Sequence, residues 1–124
     1  MTKPTTAMCA ALALNAAQAP AATSPAFDLI CQGVKGARLH FRFDLAQRKW
    51  CLSECQSVWT IDQVSDSMIE ITAFTNASRS DAWTISINRY TSTYSAVHHG
   101  YGDNPADEGS CSPVPFSGFP SRRF

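Results

Sequence analysis

Imidazole and carboxylate groups crowd one stretch of this chain, where His98 and His99 are followed by Tyr101, Asp103, Asp107 and Glu108. Side chains of these kinds bind transition metals or move protons, which makes His98, His99, Tyr101 and Asp103 the candidate binding or metal site. A strand running through both histidines sends them to opposite faces, so they meet at one metal only where the strand has already ended. The plain alternative is a pair of surface histidines beside a solvated acidic loop.

Other reactive residue types are present without the spacing that chemistry needs. Asp28, Asp44 and Glu70 are carboxylates of the kind a glycosidase pairs, but each alternates with apolar neighbours and is expected to face solvent. The sequence has no Gly-x-Ser-x-Gly elbow, no phosphate-binding glycine loop and no His-Glu-x-x-His. No catalytic residue is assigned and no cofactor is expected.

Five cysteines become an even set once Cys9 is removed with a leader, leaving Cys31, Cys51, Cys55 and Cys111. Cys51 and Cys55 stand as Cys-x3-Cys with no second close pair, which fits neither a zinc site nor a thioredoxin-type redox centre. Disulfides in an oxidising compartment are expected instead. Three pairings are possible, and Cys31 with Cys111 plus Cys51 with Cys55 is favoured. The first would tie the opening strand to the closing one, and the second needs only a local turn.

The leader itself is legible. Lys3 and the amino terminus precede an apolar stretch from Ala7 to Ala17, roughly 11 residues against the ~20 needed to span a bilayer. Small residues then follow at signal-peptidase spacing, with cleavage expected after Ala21 or Ala22. The expected organisation is a signal peptide over 1–21, a disordered Ala/Pro/Ser spacer over 22–26, a disulfide-stapled β domain over 27–112 and an extended Pro/Phe tail over 113–124. Periplasmic or secreted localisation follows, with no membrane span after cleavage. Ten Lys and Arg against ten Asp and Glu, interspersed in sign, give no basic footprint for nucleic acid. The expected partner is an unidentified protein or envelope component.

Within the domain the apolar residues alternate. Phe27 to Cys31 reads as a first strand ended by Gly33 and Gly36, and Leu39, Phe41, Phe43 and Leu45 mark a second. Trp50-Cys51, Val58 to Ile61, Met68 to Phe74, Trp83 to Asn88 and Thr93 to His99 continue the series, with a short helical turn allowed near Ile61 to Val64. Gly100 to Gly109 reads as a loop before a short last strand at Ser110 to Ser112. The predicted fold is all-β, a small antiparallel meander forming a barrel or sandwich. Trp50, Trp59 and Trp83 with Phe41 and Phe43 are expected to form its core, the alternative being a ligand pocket or a partner-binding aromatic patch. Phe116, Phe119 and Phe124 in the tail either pack back on the domain or dock on a partner.

Several runs carry a resemblance: Phe27-Asp28-Leu29-Ile30-Cys31-Gln32-Gly33, Phe43-Asp44-Leu45 with Trp50-Cys51 and Cys55, Asn88-Arg89-Tyr90-Thr91 with Tyr94, Gly109-Ser110-Cys111, and Pro115-Phe116-Ser117-Gly118-Phe119-Pro120. Together they resemble a group of small exported alphaproteobacterial proteins with no known activity. The resemblance implies export and crosslinks, not a mechanism. Where that group has Gly in the turn from Asn88 to Tyr94, this chain has Ser92 and Thr93. A looser similarity is to periplasmic lysozyme inhibitors, small exported β-barrels with one Cys in an early strand and another near the end. Their Ser-Gly-Tyr inhibitory loop is absent from this sequence.

Overall fold

Alternating side chains bury one face of each strand, and in the computed structural model those faces turn inward around a single core. The structure describes residues 25–100 and 104–121. It contains nine strands: β1 (Ala26–Gly33), β2 (Arg38–Asp44), β3 (Lys49–Leu52), β4 (Trp59–Thr60), β5 (Gln63–Val64), β6 (Met68–Phe74), β7 (Ala82–Asn88), β8 (Thr93–His99) and β9 (Asn104–Pro115). All pair antiparallel in one sheet of order β4-β3-β2-β1-β9-β8-β7-β6-β5. The predicted all-β meander is the fold, in the form of a curled half-barrel.

The curl follows from connectivity. Strands β4 and β5 are the two edges of the sheet, yet only Ile61 and Asp62 separate them in sequence. The edges must therefore meet. The Ile61 amide donates to the Arg48 carbonyl beside β3, and the Asp62 amide donates to the Glu70 carbonyl in β6, both at 2.9 Å. Residues 59–64 act as one kinked strand that leaves β3 and joins β6 at its midpoint. The helical turn allowed near Ile61 to Val64 is replaced by this change of partner.

The core holds Leu29, Phe41, Phe43, Trp50, Ile61, Ile69, Ile71, Ile85, Ile87 and Tyr94. Trp50 stacks near Trp59 with ring centroids 4.8 Å apart, and Phe41 and Phe43 complete the aromatic cluster. Trp59 and Trp83 are only partly buried against it. On the β1 and β9 side, Cys31 pairs in register with Cys111 and the two are joined by a disulfide with Cα atoms 4.0 Å apart. Cys51 and Cys55 form the second disulfide, across the β3–β4 loop. Two disulfides point to an oxidising compartment.

Strand β9 corrects two boundaries. It begins at Asn104, inside the stretch read as a loop, and runs to Pro115, inside the stretch read as a tail. Gly109 belongs there because it faces Gly33 across a close approach, where a Cβ would strike the backbone of Gln32. Pro113 and Pro115 are tolerated for a related reason. The Cys111 amide points to Ser92, just before β8, so by period two the nitrogens of 113 and 115 face the same side, beyond the start of β8. They break no bond to β1.

Ser92 takes a positive φ of 58° in the β7–β8 turn, and the Asn88 side chain holds that turn by accepting from the amides of Tyr90 and Thr91. A glycine is not required there. The expected signal peptide and most of the spacer lie outside the described residues, as do Tyr101, Asp103 and Phe124. Among the described residues no helix is long and apolar enough to cross a membrane.

Candidate functional site

The histidine cluster separates once folded. His98 lies opposite Trp83 in the β7–β8 ladder, on the face that carries Ile85 and Ala96, with its ring 4.9 Å from the Trp83 ring. Its Nε2 is 2.6 Å from Asp81 Oδ1, and its side chain is largely covered. His99 is exposed on the other face, as period two requires. Asp107 and Glu108 sit one strand over, opposite Ala96 and Ser95. Among the described residues no group of three metal-ligating side chains comes together.

Two further acids are committed to local bonds. Asp81 accepts from the Thr75 hydroxyl as well as pairing with His98, and these bonds hold its carboxyl below the ordinary range, the Thr75 bond most strongly. The Tyr94 hydroxyl, nearly inaccessible, donates to Asp107 Oδ2 at 2.9 Å. Burial, then the Asp107 carboxylate, push the Tyr94 phenol up to about 12.

Asp28 departs most from its expectation. It faces outward from the sheet as the alternation predicts, yet it is only 2 % exposed. The segment after β9 folds back over it: the Ser117 amide donates to Oδ1 at 3.1 Å, the Ser117 hydroxyl donates to Oδ2 at 2.5 Å, and His40 Nε2 lies 2.7 Å from Oδ2. Burial alone would raise the carboxyl, but the bonds from Ser117 and His40 outweigh it and hold the carboxyl below its usual value. Arg42, opposite Asp28 in the ladder, donates to the Gly118 carbonyl and to the Ser53 carbonyl. Phe116 and Phe119 meet edge to face at 5.2 Å and are partly buried, so this part of the tail packs on its own domain.

Serine, histidine and aspartate in contact invite comparison with a nucleophilic triad, but the order is wrong. A triad places the imidazole between hydroxyl and carboxylate so that it takes the proton of the nucleophile. Here the carboxylate stands in the middle and His40 makes its bond to Asp28, not to Ser117. The arrangement fastens the tail.

Several concavities remain among the described residues. A pocket of about 100 Å³ is walled by Phe27, Leu29, Ile69 and Ile87, but the Arg89 guanidinium at its mouth is turned to the Ser65 carbonyl. One of about 510 Å³ is lined by Val34, Met68, Ser86, Tyr94 and Glu108, its lining residues being mostly polar and on strands. Another is a cleft of about 450 Å³ at the seam of the half-barrel, between the crosslinked β3–β4 loop and the end of β6. Leu52, Cys55, Trp59 and Phe74 supply its apolar wall, and Ser53, Glu54, Gln56 and Ser57 its polar rim. The disulfide and the Arg42 bond to Ser53 hold the loop side in place. Arg79 stacks on the Phe74 ring at 5.1 Å.

Sequence reasoning placed none of Asp28, His40, Ser117 or the seam in a site. Asp28 carries no local signal, since its cover comes from 89 residues away. The seam had one: a short apolar segment, Trp59 to Ile61, sits too near the next strand for two complete elements. No family model, no curated protein and no solved structure matches the chain.

Proposed function

We propose that this protein is an exported domain, periplasmic or secreted after removal of its signal peptide, that works by binding a protein or envelope component rather than by catalysis. The observation that supports binding is the seam cleft. It combines half-buried aromatic and aliphatic surface with a polar rim on a scaffold fixed by two disulfides, the composition that recognition sites favour. The residue types suited to proton transfer are engaged elsewhere, with Asp28 and His40 holding the tail and Asp81 holding His98. The likeness to periplasmic lysozyme inhibitors makes a lysozyme the first enzyme to assay for inhibition.

The test is recovery of the protein from its producing cells after in-cell crosslinking, with metals and crosslinked partners identified by mass spectrometry. A reproducible envelope partner crosslinked through residues 52–59 supports the reading. A stoichiometric bound metal and no partner would overturn it in favour of a metal site at the histidines.

A further inference from the structure

We infer that the seam receives an extended polypeptide segment of a partner as an added strand on β6, an inference that names the mode of the binding proposed above and rests on it. The argument begins with backbone direction. The amides of Thr75 and Arg89 bond across the β6–β7 pair, to Asp81 and Ser67, so odd-numbered β6 positions address β7. The carbonyls of Met68 and Glu70 accept instead from Ser65 and Asp62, so even-numbered positions address the other edge. Thr72 and Phe74 follow in that even series.

Among the described residues no strand pairs with their backbone there, although the Thr72 hydroxyl donates to Asp62 Oδ2 at 2.6 Å. Strand β5 matches only Ile69 and Glu70, and beyond Asp62 the chain has turned to β3, where Thr60 and Trp59 pair with Lys49 and Trp50. Among the described residues, the outward N–H and C=O groups of Thr72 and Phe74 therefore have no ladder partner, and Phe74 lines the 450 Å³ cleft, with Thr72 two residues before it on the same edge. A free row of alternating donors and acceptors is matched by one kind of ligand, an extended backbone. The side-chain wall adds selectivity: Leu52, Trp59 and Phe74 accept an apolar residue. Glu54 on the rim is accompanied by two cations already held on other lining residues, Arg79 on the Phe74 ring and Arg42 on the Ser53 carbonyl, so the selectivity rests on the apolar wall.

The occupant is thus an extended segment with apolar residues at alternate positions. The experiment selects short random peptides displayed on phage against the oxidised protein and resynthesises the best binder. The expected peptide shows that alternation and slows hydrogen exchange at the Thr72 and Phe74 amides. N-methylation of its backbone at alternate positions lowers affinity about tenfold per blocked bond, a test that alters no residue of the protein. Thr72→Pro removes an outward amide and leaves the β6–β7 ladder intact, and Thr72→Val, which like it loses the hydroxyl bond to Asp62 but keeps the amide, is its control. Thr72→Pro should cost at least about tenfold in affinity with an unchanged far-UV spectrum.

Binding that leaves those amides unprotected and tolerates N-methylation overturns the inference. So does failure to select any peptide, and so does a dimer of this chain that Thr72→Pro dissolves, which would give the seam to a second copy. If an envelope partner is crosslinked in cells but its binding survives Thr72→Pro, strand addition falls while the binding reading stands. If no partner is found at all, the reading itself falls.

Discussion

The Asp28 carboxylate receives the Ser117 hydroxyl at 2.5 Å, so the first strand and the segment after the last are tied at one buried charge. Its lone pairs are shared with the Ser117 amide and His40. Removing the acceptor strands all of these donors at once. Asp28→Ala should lower stability by roughly 3 kcal/mol, and Ser117→Ala by about 1 kcal/mol. Urea unfolding with disulfides intact checks both, and limited proteolysis should cut after Phe116 faster in either variant.

The same carboxyl sets an acid dependence. Its folded pKa lies below the ordinary 3.8, so its contribution is complete above that value and declines as pH falls through the folded pKa. Stability measured against pH should therefore drop below pH 3.8 in the wild type, and Asp28→Asn should flatten that limb.

At the alkaline end the sign reverses. The Tyr94 phenol is raised from 10.0 to about 12, so its contribution is present below pH 10 and is lost as pH rises towards 12. Ultraviolet titration should find a late-ionising tyrosine signal that is lost in Tyr94→Phe. The alkaline loss of stability in that variant should be shallower.

The two disulfides should differ in weight. Cys31 and Cys111 close a loop across a sequence separation of 80, and replacing both with Ser should cost about 4 kcal/mol in the chain-entropy account. Cys51 and Cys55 are four apart, and their replacement should cost about 2 kcal/mol. Denaturant midpoints of the two double variants give the comparison. Non-reduced peptide maps should join Cys31 to Cys111.

The histidines should separate just as clearly. His98→Ala removes a contact with Trp83 and the bond to Asp81 and should cost about 1 to 2 kcal/mol, while exposed His99→Ala should stay within about 0.5 kcal/mol. Thermal unfolding of both variants decides it.

Much of this architecture was legible because alternation is local. Phe41 with Phe43, Ile69 with Ile71 and Ile85 with Ile87 each announce a half-buried strand, and the cysteines suggested that the first and last strands lie together. What local reading missed was contact across the fold. Gly109 looked like loop punctuation because its need, the close passage of Gln32, lies in another strand. Asp28 looked solvated because alternation reports which face a residue takes, not whether a distant segment covers that face. The histidine loop looked like a site because proximity in sequence was read as proximity in space. The strand geometry divides it between two faces and two strands.

The measurement closest to the central claim places a photo-crosslinking residue at Gln56 or Ser57 on the seam rim, and at Val34 in the β1–β2 turn, in the producing cells. Binding at the seam predicts a discrete adduct from Gln56 and Ser57 that Thr72→Pro abolishes, and none from Val34. Adducts from Val34 alone, or from none of the three, would contradict it.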